Sequence, residues 1–170
     1  TPESIIHFQD FWVGKHGEPE VLGVDITGIS EASISPKVLE ALETDDKILI
    51  GPSNPITSIG PIISLPGMKD LMKKKKVVAV SPIIGNAPVS GPAGKLMQAC
   101  GLEVSSMGVA EYYQDFLDIF VFDERDQADE FAFERLGCRA SRADTLMTST
   151  KKSKELAELV VALFDTIACP

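Results

Sequence analysis

Lys47-Ile48-Leu49-Ile50-Gly51-Pro52-Ser53-Asn54-Pro55-Ile56-Thr57-Ser58-Ile59-Gly60 is the stretch on which the fold turns. Its opening run, Lys47 to Ile50, is apolar and of strand length. Gly51 to Gly60 then brings small, hydroxyl-bearing and proline residues into what reads as a helix start. A strand that ends in such a loop and leads into a helix is the building unit of open parallel sheets. Those sheets bind ligands, and anions in particular, outside the carboxyl ends of their strands. Free N–H groups and the positive end of the helix dipole would face whatever binds there. Gly51 lets a ligand approach the backbone closely, while Pro52 and Pro55 stiffen the turn.

Working outward, the same sequence of signals recurs. Lys73 to Lys76, a run of lysines between a helix ending near Met72 and the next strand, reads as a solvated helix C-terminus rather than a phosphate patch. Val77 to Val80 is a second apolar strand. It leads into Ser81-Pro82, then a loop through Gly85-Asn86, then Ser90-Gly91-Pro92-Ala93-Gly94-Lys95. Ala93, Leu96, Met97 and Cys100 stand at helical spacing, so a short amphipathic helix is predicted from Pro92, closed by Gly101.

Upstream of the opening stretch, Ser35-Pro36 opens a helix with a hydroxyl cap and a proline in the first turn, and Val38, Leu39 and Leu42 form its expected buried stripe. Ile5 to Val13 and Val21 to Ile26 read as strands around a turn at Gly14 to Pro19, so residues 1–30 are expected to form a β-hairpin. Downstream, Val109 to Phe116 suits a helical turn and Asp118 to Asp123 a strand. Asp123 is expected to cap a helix carrying Ala128, Phe131, Ala132 and Leu136, ended by Gly137. Thr145 to Met147 reads as a short strand. Leu156, Leu159, Val160, Leu163, Phe164 and Ile167 mark the final helix. Strands alternating with helices predict an α/β fold: an open, mainly parallel, Rossmann-like sheet with helices on both faces, three layers, in one domain over 1–170.

Composition narrows the partners. The chain has 170 residues, 44% of them hydrophobic, enough for one sizeable core. Its formal net charge of -9 disfavours nucleic acid and anionic membrane as partners. Cys100, Cys138 and Cys169 are widely spaced, as expected of free thiols in a reducing cytoplasm. No apolar run reaches the length of a membrane helix. Both loops that follow strands offer hydroxyls, an amide and backbone donors with few acids, a profile that suits phosphate oxygens and tight packing turns equally. Neither matches the Walker or dinucleotide glycine patterns. Lys95 suits a phosphate cation or a solvent-facing helix residue. His7 and His16 stand without a nucleophile motif. Asp115, Asp118, Asp123, Glu124 and Asp126 admit a magnesium role, though capping and solvation account for most of them. Phe8, Phe11 and Trp12 read as core packing or as a stacking surface for a flat ring.

Several strings together carry a resemblance. Gly51-Pro52-Ser53-Asn54-Pro55-Ile56-Thr57-Ser58-Ile59, Val78-Ala79-Val80-Ser81-Pro82-Ile83, Val89-Ser90-Gly91-Pro92-Ala93-Gly94-Lys95 and Phe8-Gln9-Asp10-Phe11-Trp12-Val13 resemble the 2-phospho-L-lactate transferase family, in collinear order over nearly the whole chain. Gly108-Val109-Ala110-Glu111-Tyr112-Tyr113 and Phe122-Asp123 are similar too, and the likeness is to enzymes of methanogenic archaea. It implies a cytoplasmic enzyme of coenzyme F-420 biosynthesis. Such an enzyme moves a phospholactyl group from a guanosine diphosphate donor onto a deazaflavin alcohol, with magnesium, and releases GMP.

Family members are longer and begin with a Gly-Gly-Thr-Gly type loop, so the resemblance implies a C-terminal portion, inactive in isolation, whose magnesium ligands lie in the other half. It assigns Gly51, Pro52, Ser53, Asn54, Pro55, Thr57 and Ser58 to the donor phosphates, with Ser81, Ser90 and Gly91 beside them and Trp12 or Phe8 on the deazaflavin side. It names no catalytic base, and it allows a homodimer. A non-catalytic sugar-nucleotide-binding regulator on the related fold, and an inactive folded fragment, stand as the alternatives.

Overall fold

A computed structural model describes residues 1–168 except Asn86 and Ser90. Four strands form one parallel sheet: β1 (Lys47–Ile50), β2 (Lys76–Val80), β5 (Ile119–Asp123) and β6 (Arg139–Ala143), in the order β1-β2-β5-β6. A small antiparallel pair, β3 (Ile83–Ile84) and β4 (Ala87–Pro88), follows β2. The helices are α1 (Pro36–Thr44), α2 (Gly60–Ile63), α3 (Met68–Met72), α4 (Ala93–Ala99), α5 (Ser106–Tyr113), α6 (Glu130–Glu134) and α7 (Thr150–Phe164). This is the open α/β, Rossmann-like arrangement that the alternating strands and helices predict.

The two central strands explain the layering. Val77 to Val80 of β2 and all of β5 are buried, as parallel strands covered on both faces must be. Register pairs Ile48 with Val77 and Leu49 with Val78, so paired residues share a face while successive side chains alternate along each strand. Ile48, Ile50, Val77, Ala79, Phe120 and Phe122 face the main core, which includes Leu96 and Met97 of α4, Val109 and Tyr113 of α5, and Phe133 of α6. Val78, Val80, Ile119 and Val121 face the other way, onto Leu156, Val160 and Phe164 of α7. Those three recur every four residues, the stripe visible in the sequence. Caps are local: Ser35, Ser105 and Ser149 each accept from a backbone N–H three residues on, opening α1, α5 and α7.

Four expectations are corrected. Residues 1–30 form no hairpin: Asp10–Gly14 is a wide helical turn, and no strand lies in 1–46. Phe11 is buried there, with Ile6, Phe8 and Val21 packed against the main core, so these apolar residues act one at a time rather than through a ladder. The Val38 and Leu39 stripe of α1 is not buried; they are 41% and 38% exposed, and Leu42 alone of the three reaches the core. Asp123 ends β5 instead of capping a helix, and Asp129 caps α6 by accepting from the Phe131 N–H at 3.1 Å. Thr145 to Met147 is not a strand. The fourth strand is β6, whose polar Arg-Ala-Ser-Arg-Ala sequence hides it from a search for apolar runs. As an edge strand it needs little apolar surface.

Candidate functional site

Because all four strands of the sheet run the same way, the loops after β1 and β2 emerge side by side on one rim. After β1, Asn54 organises the chain. Its side-chain Oδ1 accepts from the N–H groups of Ile56 at 2.9 Å and Thr57 at 3.2 Å, and its carbonyl accepts from Ser58 and Ile59, both at 3.1 Å. The result is a wide helical turn over Pro55–Ile59 that runs directly into α2. Pro55 and Ile56 are buried beneath it.

This changes which groups face a ligand. The N–H groups of Ile56 and Thr57, expected to be free, are already satisfied by the Asn54 amide. What the loop offers outward is the Asn54 Nδ2 amide and the hydroxyls of Ser53, Thr57 and Ser58, none of which bonds to another described residue. Ser53, Asn54 and Thr57 are half-buried, while Gly51, Pro52 and Ser58 are exposed. The donor set is thus made of neutral side chains rather than of a helix terminus.

After β2, Ser81 is 1% exposed, and its hydroxyl accepts from the Ile83 N–H at 3.1 Å. Ser81 therefore braces the loop from beneath and does not face a ligand. Ser90 lies outside the described residues. Gly91 is exposed, and α4 begins two residues later, packed against the Pro55–Ile59 turn. Trp12 reaches the same place from the N-terminal segment: a Cβ built on Gly91 would lie 3.9 Å from its indole Cζ2, and one on Gly17 2.9 Å from its Cζ3. The three strings singled out in the sequence, around Asn54, Gly91 and Trp12, are thus joined through α4.

Lys95 takes neither role expected of it. Its ammonium points back to the Lys15–Pro19 turn and donates to backbone carbonyls there. No residue pattern marks that pairing, which spans more than seventy residues.

The acidic residues are dispersed into structural tasks. Asp115 pairs with Lys69 at 2.9 Å, and that hydrogen bond lowers its pKa. Asp118 accepts from the Val77 N–H at 2.7 Å, and Asp126 from the Gly85 N–H at 2.6 Å. Asp123, wholly buried, accepts from the N–H and guanidinium of Arg125 and the N–H and hydroxyl of Thr145. Burial alone would raise its pKa; these hydrogen bonds bring it below the ordinary value. Arg125 also pairs with Asp144, which binds Lys152 of α7. The Lys152 and Arg125 bonds hold the Asp144 carboxyl down at about 2. Among the described residues no group of three His, Cys, Asp or Glu gathers where a metal could sit. His7 Nδ1 accepts from the Gln9 N–H, a local turn contact.

Two cavities lie away from these loops. One, of about 420 Å³, sits by Asp118, Cys138 and Arg139 at the opposite rim. The other, of about 390 Å³, sits at the start of α5 by Ser105 and Asp129. The Asn54 loop borders neither and stands as a partly exposed shelf.

Comparison with known proteins decides the family. The sequence model described as "2-phospho-L-lactate transferase CofD" matches residues 1–159. The chain belongs to this family. A curated 2-phospho-L-lactate transferase of Methanosarcina barkeri is 93% identical over 170 residues, all of this chain and 55% of that protein. The protein of the same name from Methanosarcina acetivorans is 83% identical over 98% of this chain and 54% of its own length. The one from Methanocaldococcus jannaschii is 46% identical over 93% of this chain and 50% of its own length. The chain spans about half the length of the curated relatives it matches. Among the described residues, no helix is long and apolar enough to cross a membrane.

Proposed function

We propose that this chain is part of an enzyme that transfers the 2-phospholactyl group of a lactyl-diphosphoguanosine donor to the terminal hydroxyl of a deazaflavin alcohol, releasing GMP. The observation that carries the reading is the Asn54 shelf. Neutral donors from Ser53, Asn54, Thr57 and Ser58 stand together at the carboxyl end of β1, where open α/β sheets bind their ligands. In a family of phospholactate transferases, diphosphate oxygens are the acceptors that such a set suits. Attack of the acceptor hydroxyl on phosphorus needs positioning and charge stabilisation more than covalent help. The shelf supplies hydrogen bonds without fixed charge, and the residues that complete the site belong to the rest of the polypeptide. Among the described residues no three His, Cys, Asp or Glu gather into one cluster, and magnesium is commonly held by only one or two carboxylates together with substrate phosphates. We assign the magnesium that the family implies to ligands in the remainder of the enzyme, where it would neutralise the charge of the donor diphosphate.

Asn54 has two separable jobs, and one substitution divides them. Asn54→Asp keeps the capping oxygen for Ile56 and Thr57 but replaces the outward amide by a carboxylate, which repels phosphate. In a full-length transferase carrying this stretch, the expected result is an unchanged unfolding midpoint with transfer reduced at least tenfold, about 1.4 kcal/mol. Wild-type turnover in that variant refutes the assignment of the shelf. Calorimetry with GDP against a UDP-sugar separates this reading from a sugar-nucleotide-binding regulator, which would prefer the latter.

A further inference from the structure

The Lys15–Pro19 turn encloses a cation supplied by its own chain. Lys95, on α4, donates from Nζ to three successive carbonyl oxygens: Gly17 at 2.5 Å, Glu18 at 3.0 Å and Pro19 at 3.1 Å. An ammonium has three donors, and all three are used. The Phe11 ring centroid lies 6.0 Å from the same nitrogen, so an aromatic face adds to the carbonyl dipoles. Consecutive carbonyls converge on one point only where the backbone folds back on itself. His16, at φ 53, and Gly17, at φ 69, provide that fold. Left-handed backbone at a residue with a side chain is disfavoured, and the turn bonds through Gly17 N–H to Phe11 O at 2.9 Å and Glu18 N–H to Lys15 O at 3.0 Å.

The same turn holds Trp12. Its six-membered ring lies so close to Gly17 that a Cβ there would meet Cζ3 at 2.9 Å and Cε3 at 3.0 Å, and it also approaches Gly91, just before α4. Contact with two glycines puts bare backbone against the ring, yet Trp12 as a residue stays 39% exposed. Lys95 joins the two segments that bound this ring, since it sits four residues beyond Gly91 and binds the carbonyls of the turn. We infer that Lys95 is a positioning residue: its ammonium clamps the Lys15–Pro19 turn to α4 and so fixes Trp12 as a stacking wall for a flat heteroaromatic acceptor. The inference rests on the proposed reading of the acceptor as a deazaflavin. A preorganised ring favours stacking because the entropy of ordering it is lost during folding rather than on binding. With its three donors engaged, the lysine makes no direct contact with phosphate.

Trp12 is the chain's only tryptophan, so its emission reports the wall directly. Lys95→Met keeps the apolar stem and removes the ammonium. Expected are a red-shifted Trp12 emission and greater quenching by acrylamide, with an unchanged far-UV circular dichroism spectrum. Lys95→Arg should restore these in part, because a planar guanidinium cannot aim three donors at one point. In a full-length transferase carrying this stretch, Lys95→Met should raise KM for the deazaflavin alcohol about fivefold while kcat and the donor KM stay near wild type. Trp12→Ala should do the same, and the double variant should be no worse than either. Unshifted emission and unchanged quenching in Lys95→Met overturn the clamp. An unchanged acceptor KM in Trp12→Ala overturns the stacking wall, whatever the emission shows. Loss of donor binding alone in Lys95→Met makes the lysine a phosphate contact and overturns the inference outright.

Discussion

Asp144 shows how much a single carboxylate can organise. It binds Lys152 at 2.5 Å and Arg125 at 2.9 Å, and Arg125 in turn grips the buried Asp123. The pKa of Asp144 falls from 3.8 to about 2 in the folded protein, so its stabilising contribution is complete above its unfolded value. That contribution is lost as pH falls from about 4 towards 2. Asp144→Asn should therefore flatten the acid limb of stability over that range, read as urea midpoints at pH 5 and pH 2.5. A wild-type slope in the variant would contradict the pairing. Gly108 is a steric counterpart. A Cβ there would overlap the Glu103 carbonyl, with its carbon at 2.9 Å. Gly108→Ala should cost about 2–3 kcal/mol, because the start of α5 must shift, and the denaturant midpoint checks it. At this scale the sequence was half legible. Asn54 could be placed at a helix start from its neighbours, but a string cannot show that its own side chain consumes the N–H groups it exposes. Lys95 was illegible because its partners are backbone carbonyls far along the chain, which carry no side-chain signature.

Among the elements, α7 is the sole helix found on its face of the sheet among the described residues, and its stripe should dominate the response to substitution. Leu156 is buried against Val78, Val80, Ile119 and Val121, so Leu156→Ala should cost about 2–5 kcal/mol by cavity formation. Val161, one residue from the stripe and 62% exposed, should change stability by less than about 0.5 kcal/mol when made alanine. Equal effects from the two, in chemical unfolding, would mean that the face is packed differently. This helix and strands β1, β2 and β5 were readable because burial forces a period on the side chains. The first thirty residues and β6 were not. Phe11 is buried from a helical turn and Phe8 is half-buried just before it, where strand alternation has no meaning, and β6 lies at an edge where Arg142 can stand over the Phe122 ring at 4.5 Å and still reach solvent.

For the whole molecule, the informative boundary is β1. Among the described residues it has a strand on one side only, and Leu49, on the α7 face, is 53% exposed. Val38 and Leu39 of α1 are exposed too. An unpaired parallel edge with apolar side chains invites pairing with another chain. The 170-residue chain should therefore associate as its concentration rises, and Leu49→Lys should return it towards monomer, with sedimentation velocity as the measure. A concentration-independent monomer in the wild type would show that the edge is protected.

The single direction of the main sheet's strands also gives the molecule two rims of different chemistry. The shelf lies beyond the carboxyl ends, whereas Lys73 and Lys74, both exposed, sit just before the amino end of β2. A protein tethered to a support through that lysine run would present the Asn54 shelf outward, away from the attachment.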